Sequence, residues 1–411
     1  MNDTKLTKLE KQWILYDVGN SAFIMLVSTI IPIYFNYLAE NAGISKVDYL
    51  AYWGYAASVA TIIVACIGPV LGTLADTKHF RKKLFSISVI FGVVTSALLA
   101  FPTHWFLFLI VFTLSKVGYN ASLIFYDAML VDITSEDRMD AVSSHGYAWG
   151  YIGSCIPFVI SLIFVLMYDC LGLTLRSAMS IAFFINAIWW LLMSVPLFRN
   201  YEQKYYVSIP AHPVSDSFKR LFTTLKDIKN QKPVFLYLLS FFFFIDGVYT
   251  IIEMATAYGS ALGLDSSGLL LALLVTQLVA FPCALIFARL SKKYNTERLI
   301  KICILAYLGI ALFAIQLDKQ WEFWMLAIFV GMFQGAIQAL SRSYFAKIIP
   351  SAKSGEYFGI YDICGKGASF LGTFMVGVVA QITHIANAGV AVLAVMFLIG
   401  YFLFNKAAKA K

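Results

Sequence analysis

Twelve long apolar segments, separated by short polar turns, constrain this chain more than any other feature of its sequence. Each is about as long as the ~20 apolar residues that a helix needs to cross a bilayer. They span residues 12–38, 50–75, 83–101, 105–130, 143–168, 176–198, 233–258, 266–290, 298–317, 322–346, 355–381 and 386–405. The pattern predicts an all-α polytopic membrane protein with twelve transmembrane helices in two six-helix, pseudo-symmetric bundles. The bundles comprise residues 1–198 and 233–411, and the longest polar stretch, 199–232, links them.

The composition and the placement of charge agree with a membrane protein. The chain has 411 residues, of which 60% are hydrophobic and 13% are charged, and no soluble domain of this size keeps so much apolar surface from water. The formal net charge of +8 does not indicate nucleic-acid binding, because the basic residues sit at segment ends. With the amino terminus placed in the cytoplasm, most of the 31 Lys and Arg residues lie in or beside inside loops and termini. This asymmetry predicts that both termini and the linker are cytoplasmic, and we expect a bacterial plasma membrane.

Two features are predicted to contact lipid. In the sixth segment, Trp189 and Trp190 are expected to face the acyl chains. In the linker, apolar residues at helical spacing lie opposite basic residues, which predicts an interfacial helix on an anionic leaflet rather than a partner-binding helix. These apolar residues are Phe218, Leu221, Phe222, Leu225 and Ile228.

Signals for cofactors, metals and catalysis are absent from the sequence. The six cysteines show no paired spacing and the five histidines form no ligand motif, so no metal is predicted. Gly359, Gly365 and Lys366 do not form a nucleotide-binding loop, because five residues separate the glycines and Gly367 follows the lysine. No nucleophile motif stands out. We therefore expect neither an enzyme nor a cofactor.

Two acidic residues inside apolar segments are candidates for ion coupling. Asp17 lies one to two turns into the first segment, and Asn20 follows it on the same face. Asp246 lies about 20 Å deep in the seventh segment, where Gly247 weakens the helix locally. Ionisable groups at such depth usually face a cavity or a partner. Asp17 and Asp246 are thus predicted to carry protons or cations, with a structural pairing of either as the alternative.

Two lysines inside segments are candidates for binding an anion. Lys116 lies about 16 Å into the fourth segment, and Asp127 returns to nearly the same helix face. A lysine at this depth requires an anion, either a protein carboxylate or the carboxylate or phosphate of a substrate. Lys366 follows Asp362 by four residues, which favours an ion pair within the helix, yet it could also meet an anionic substrate.

Polar residues also mark a stripe and a charged turn. Gln334, Gln338 and Arg342 recur at every fourth position of the tenth segment, so they share one face. Asp76 and Arg81 belong to a charged turn after the second segment. We expect the two glutamines to contact substrate, and Asp76, Arg81 and Arg342 to act in gating.

Several motifs resemble known membrane-transporter families. GPVLGTLAD, followed by basic residues, resembles the loop signature of the major facilitator superfamily. YDVGNSAF, FYDAMLVDI, GYAWGYIG, DGVYTI, ALSRS and EYFGIYDICGK resemble the unknown-major-facilitator family of bacteria, which is similar to the fungal autophagy-related vacuole effluxers. This resemblance implies a twelve-helix major facilitator fold whose first, fourth, seventh and tenth helices line a cavity. The residues that fall on its motifs are Tyr16, Asp17, Asn20, Asp246, Gly247, Arg342, Tyr361 and Lys366.

The resemblance also bears on substrate and mechanism. Tyr16, Asn20 and Tyr361 are expected to contribute to substrate binding, whereas Asp127 departs from the asparagine that is usual in the family. The fungal relatives are regarded as amino-acid exporters, and the charges suit a zwitterion or an anion with an apolar body. We predict a monomeric, proton-coupled secondary transporter of a small amino-acid-like solute. A transporter of lysophospholipids or organic anions and a non-transporting receptor are the alternatives.

Overall fold

The protein is almost entirely helical. The computed structural model describes residues 5–208, 213–261, 266–383 and 386–410. Across these residues the only β-type contact is an isolated bridge between Thr77 and Val207. The helices are α1 Lys8–Ser28, α2 Ile30–Asn41, α3 Lys46–Ala75, α4 Phe80–Leu98, α5 Trp105–Ala128, α6 Leu130–Ile133, α7 Met139–Leu166, α8 Leu175–Asn200, α9 Pro213–Asn230, α10 Lys232–Ala261, α11 Ser266–Leu290, α12 Thr296–Ala314, α13 Gln320–Ile348, α14 Ser354–Thr383 and α15 Ala386–Lys409.

Ten helical segments in the described ranges are long and apolar enough to cross a membrane. Helices α1 and α2 count together as one of them, broken at Thr29. Pro32 lies in the first turn of α2, where backbone N–H groups have no partner within the helix, so proline is tolerated there. The remaining two predicted spans correspond to α4 and α12. Both are 19 residues long and begin with clusters of charge, so the count of twelve stays a prediction while the all-α polytopic fold is confirmed.

The same set of helix pairings occurs twice along the chain. We call α1–α8 the first half and α10–α15 the second half. In the first half α1 packs on α7 and α8, α5 on α3 and α4, and α8 on α4 and α7. In the second half α10 packs on α14 and α15, α13 on α11 and α12, and α15 on α12 and α14. Such duplication is the pattern that two related halves of a transporter produce.

The two halves meet through α3 with α14 and through α7 with α11 and α13. Helix α9 packs against α3 and α10 at one end of the bundle. We call this end the linker face, and it also carries the turn between α3 and α4. The linker therefore lies beside the contact between the halves.

The prediction that Trp190 faces lipid is wrong. Its ring is fully buried and stacks on Phe23, with 5.5 Å between the ring centroids. The indole of the partly buried Trp189 donates a hydrogen bond to the Val18 carbonyl at 3.3 Å. The lipid-facing side of α8 carries exposed aliphatic residues such as Leu192 instead. The two tryptophans thus fix α8 against α1.

Candidate functional site

Arg342 of α13 lies at the centre of a buried ion cluster that joins the halves. Its Nη1 donates to Asp127 Oδ1 at 3.0 Å, and its Nη2 lies 3.3 Å from Asp17 Oδ2. Its Nε donates to the Ser143 hydroxyl at 2.9 Å. Both carboxylates and the serine belong to the first half, whereas the arginine belongs to the second. The guanidinium therefore links α1, α5 and α7 of the first half to α13 of the second.

Aromatic rings enclose the same guanidinium. The centre of the Arg342 guanidinium lies 4.6 Å from the ring centroids of Trp13 and Tyr147, and 5.4 Å from that of Tyr126. Cations bind favourably over such ring faces. The edges and the faces of the arginine are thus both occupied by side chains of the first half.

Asn20 belongs to this cluster as well. Its Nδ2 donates to Asp17 Oδ1 at 3.3 Å, so it helps to orient the carboxylate that Arg342 contacts. The predicted proximity of Asp17 and Asn20 is therefore observed. The contact of Asp17 with Arg342 was not predicted, because it joins residues 325 positions apart.

Lys366 forms the predicted ion pair and also reaches the other half. Its Nζ lies 2.5 Å from Asp362 Oδ1 on its own helix α14. The same ammonium donates to the Asn120 carbonyl of α5 at 3.3 Å. Asn120 is one helical turn from Lys116, so the two lysines approach each other from opposite halves.

Lys116 lies within a membrane-spanning helix but differs from Arg342 and Lys366 in its contacts. It is the twelfth of the 24 residues of α5, and its side chain is partly buried. Within the described residues it has no hydrogen bond and no ion pair. Glu253 of α10 attracts it electrostatically and Lys366 repels it. The middle of this span therefore holds an ammonium group that is not ion-paired with any of the carboxylates described.

Asp246 is a fully buried carboxyl group without a cationic partner among the residues described. Its Oδ1 accepts hydrogen bonds from the Gly372 N–H at 3.0 Å and from the Thr250 hydroxyl at 3.3 Å. Its Oδ2 is buried with no hydrogen-bond partner there. A Cβ atom on Gly372 would overlap both Asp246 Oδ1 and Thr250 Oγ1. Glycine at this position thus permits α14 to approach the carboxyl group.

The other predicted substrate residues lie in different environments. Gln338 Nε2 is 3.5 Å from the Tyr151 hydroxyl across the contact between halves, and Gln334 is buried one turn away. Tyr16 is fully buried and shares a 2.6 Å hydrogen bond with Ser122. Tyr361 stacks on Phe241, with 4.0 Å between centroids. Tyr16 and Tyr361 thus contribute to aromatic packing in this conformation.

Asp76 and Arg81, the residues of the predicted gating turn, lie at the contact between the halves on the linker face. Asp76 accepts hydrogen bonds from the backbone N–H groups of Gly355 at 2.7 Å and Glu356 at 2.8 Å, at the start of α14. Arg81 contacts Asp76 at 2.6 Å and Asp132 at 2.7 Å. Burial raises the pKa of Asp76 to about 6. We call Asp76, Arg81, Asp132 and the Gly355–Glu356 amides the first lock. Asp132 was not among the predicted residues.

A second lock, also not predicted, lies on the same face. Asp140 at the start of α7 contacts Lys347 Nζ at 2.7 Å. It also accepts hydrogen bonds from Ser343 Oγ at 2.6 Å and Thr296 Oγ1 at 2.5 Å. The acceptor belongs to the first half and its three partners belong to the second. Asp140 and Lys347 both lie near segment ends, where charges usually mark boundaries, so no sequence signal indicates their contact.

Solved transporter structures share this fold. The human organic anion transporter MFSD10 aligns with a TM-score of 0.69 and 12% identity, covering 97% of this chain and 98% of that chain. The proton:xylose symporter XylE, bound to 6-bromo-6-deoxy-D-glucose, aligns with a TM-score of 0.71 and 11% identity, covering 96% and 93%. At such low identity these comparisons show the fold alone. The protein is an integral membrane protein with the major facilitator fold.

Sequence relatives define the family. The model of the family described as "Vacuole effluxer Atg22 like" matches residues 7–409. YxiO of Bacillus subtilis strain 168, described as an uncharacterized MFS-type transporter, is 42% identical over 96% of this chain and 94% of its own length. Autophagy-related protein 22 of Yarrowia lipolytica is 26% identical over 70% of this chain and 54% of its own. The chain belongs to the Atg22-like effluxer family, and the resemblance noted in the sequence is confirmed.

Proposed function

We propose that this protein is a proton-coupled secondary transporter that moves a small zwitterionic or anionic solute, with an amino-acid-like solute favoured. The family and the fold support transport by the major facilitator mechanism. One observation supports the substrate class: the ammonium group of Lys116, at the middle of α5, has no hydrogen bond or ion pair with the described residues. An anionic group of a solute supplies the charge that the described residues do not place beside it.

The surroundings of Lys116 favour a zwitterion or an anion over a cation. Lys366 reaches the turn of α5 that contains Asn120, so two ammonium groups from opposite halves can address one carboxylate or phosphate. Glu253 also offers a negative charge that acts on Lys116, which suits the ammonium group of a zwitterion. We assign Lys116 and Lys366 to the solute anion, and Asn20, Gln334 and Gln338 to polar contacts. Tyr16 and Tyr361 then support the site from its aromatic packing.

Alternating access follows from the two locks. Both join the halves at the linker face, so the conformation described here is closed on that side. We place the linker face, with both termini, on the cytoplasmic side of a bacterial plasma membrane, because basic residues concentrate there. Rocking of the halves must break the Asp76 and Asp140 contacts before solute can leave to the cytoplasm. Arg342 acts in the same transition because it spans the halves.

Asp246 is the better candidate for proton coupling. Asp17 is held by Arg342, whereas Asp246 has no cation among its described contacts. An unpaired carboxylate is costly in the membrane interior, and taking up a proton removes that cost. Asp246→Asn should abolish gradient-driven uptake into proteoliposomes while solute exchange continues. Unchanged proton-driven uptake in this variant would remove Asp246 from the coupling role.

Transport itself is tested by counterflow. The purified protein, as a monomer in proteoliposomes, is loaded with one solute at a time from amino acids, dipeptides, organic acids and lysophospholipids, and entry of the labelled solute is followed. We expect accumulation for a solute with a carboxylate or phosphate, and a KM at least tenfold higher in Lys116→Gln. Counterflow with neutral sugars alone would contradict the proposed substrate class.

A lysophospholipid or an amphipathic organic anion is the second candidate. A groove of about 420 Å³ lies between α3 and α5, at the end away from the linker face. Its lining is almost wholly apolar, and the rings of Tyr52 and Trp105 stack at its rim with 5.0 Å between centroids. Such a groove can hold part of an acyl chain. Counterflow of a lysophospholipid that is lost in Ala56→Trp, a substitution within the groove, would favour this candidate.

A further inference from the structure

Helix α9 presents two different faces. Its buried face, with Ser217, Thr224 and Ile228, turns toward the bundle. Beside it lies a strip of exposed apolar side chains, in which Phe218 is 48% exposed, Phe222 65% and Leu225 46%. The predicted apolar side of the linker helix is therefore divided: Ile228 and Leu221 pack against the protein core, whereas the three residues of the strip are exposed.

Basic residues follow this apolar strip. Lys229 lies within the strip on the helical wheel, one turn after Leu225, and Lys219 and Lys226 lie on the next face around. All three side chains are exposed. Aromatic and aliphatic residues flanked by lysines are the pattern of a helix that lies in the headgroup region of an anionic leaflet. Since α9 packs beside the ends of membrane-spanning helices α3 and α10, the adjacent surface is the bilayer itself.

The opposite edge of α9 contacts the first lock. Arg220 Nη2 lies 3.6 Å from the fully buried carboxylate of Glu356. Glu356 is the residue whose backbone N–H donates to Asp76. One residue further, the Tyr357 hydroxyl lies 3.3 Å from Gln231 Oε1, just after α9. The start of α14 is therefore held by Asp76 on one side and by the linker on the other.

The first part of the linker is attached to the same lock. The Val207 N–H donates to the Asp76 carbonyl at 2.8 Å, and Gln203 Nε2 donates to the Ala75 carbonyl at 3.0 Å. The Tyr205 N–H donates to Asp132 Oδ1 at 3.0 Å. The first part of the linker thus contacts the first-half residues at the lock, and α9 contacts the second-half residue Glu356.

We propose that α9 is a membrane-bound latch: anionic lipid holds the helix at the leaflet, and Arg220 passes this restraint to Glu356, which stabilises the closed linker face. The apolar strip inserts between headgroups while the three lysines contact lipid phosphates. Arg220 turns away from this strip and keeps its contact with α14. Anionic lipid content then sets how long the linker face stays closed, independently of which solute is carried.

Hydrogen exchange followed by mass spectrometry tests this proposal on the full chain in nanodiscs. Discs of phosphatidylcholine alone are compared with discs that also contain phosphatidylglycerol. We expect anionic lipid to slow exchange in residues 213–230 and 351–358 about fivefold or more, because one basic residue at an anionic surface contributes about 1 kcal/mol. High salt should reduce the effect, since it screens the lipid charge. An equal exchange rate in the two kinds of disc would overturn the proposal.

Two variants separate the anchor from the coupling. Combined Lys219→Gln, Lys226→Gln and Lys229→Gln should remove the lipid effect in both regions. Arg220→Gln should keep it in residues 213–230 and lose it in 351–358. The matched control is combined Lys292→Gln, Lys293→Gln and Arg298→Gln, which removes the same charge from the turn after α11 and the first turn of α12 and should keep both effects. The anchor would be overturned by a lipid effect that survives in the α9 lysine variant, or that vanishes equally in the control. The coupling would be overturned by a lipid effect on residues 351–358 that survives in Arg220→Gln.

Discussion

Arg342 and Lys116 are both cations within membrane-spanning helices, yet their surroundings differ completely. Arg342 contacts two carboxylates, a serine and three aromatic rings. Lys116 has neither a hydrogen bond nor an ion pair in the part of the chain described here. The first cation is satisfied by the protein and the second is not.

We interpret this difference as one of role: Arg342 is a structural cation, and Lys116 is the cation that we propose to bind a ligand. Removing one member of a satisfied buried cluster leaves its partners uncompensated, so the protein itself loses stability. A cation without partners adds no such stabilisation, and its presence at mid-span requires another explanation. A ligand that carries an anion provides one. The predictions below test the contrast through the free energy of unfolding.

Arg342→Gln should have the largest effect on stability. It leaves Asp17 and Asp127 without a counter-ion, and breaking a buried pair in this way costs about 3–5 kcal/mol. Denaturant unfolding of the purified variant measures the loss. Arg289→Gln, at an exposed position near the end of α11, is the control and should change stability by less than about 0.5 kcal/mol. If the Arg342 variant is as stable as this control, the ion pairs of Arg342 with Asp17 and Asp127 do not stabilise the folded protein.

Asp76 extends the contrast to the linker face through pH. Burial raises its pKa from 3.8 to about 6, so the folded protein holds this proton more tightly than the unfolded chain. The stabilisation is therefore complete below about pH 4 and is lost as pH rises through about 6, by up to about 1.4 kcal/mol per pH unit. We expect this slope of the unfolding free energy against pH in the wild type and in the control Asp318→Asn, because Asp318 is exposed. The slope should be absent in Asp76→Asn. If Asp76→Asn keeps the slope, another group must be the one that titrates.

Gly372→Ala should produce a smaller loss, of about 1–3 kcal/mol, the usual cost of overpacking. The added methyl group meets Asp246 and Thr250, so proton-driven uptake should fall together with stability. Gly309→Ala places a methyl group where nothing lies within 4 Å. That control should be neutral or slightly stabilising, because alanine favours the helix. Equal stability and equal uptake in the two variants would show that the close approach of α14 to Asp246 matters for neither.

The sequence predicted the local features of this protein well. Hydropathy located the membrane helices, and the four-residue spacing of Asp362 and Lys366 predicted their ion pair. The turn between the second and third segments was recognised as charged from Asp76 and Arg81, whereas their role in gating stays a prediction. Each of these depends on residues close together in the chain, where helical geometry fixes the distance.

Contacts between distant helices were beyond such reasoning. The Arg342 cluster and the Asp140 lock join opposite halves, and no periodicity specifies which charges meet. Trp190 was misplaced for a related reason, because a tryptophan in an apolar helix packs equally well on lipid or on another helix. Its burial was decided by Gly92, whose missing side chain leaves room for the ring.

The most direct test compares ligand-induced stabilisation of the wild type and Lys116→Gln. With no hydrogen bond or ion pair to lose among the described residues, the variant alone should stay within about 0.5 kcal/mol of wild type, the range of most substitutions that break no interaction. A carried anion or zwitterion at about 100 times its Kd should add about 2.7 kcal/mol to the wild type, and its Tm shift should largely vanish in the variant. A solute that raises the Tm of both proteins equally would contradict the assignment of Lys116 to the substrate.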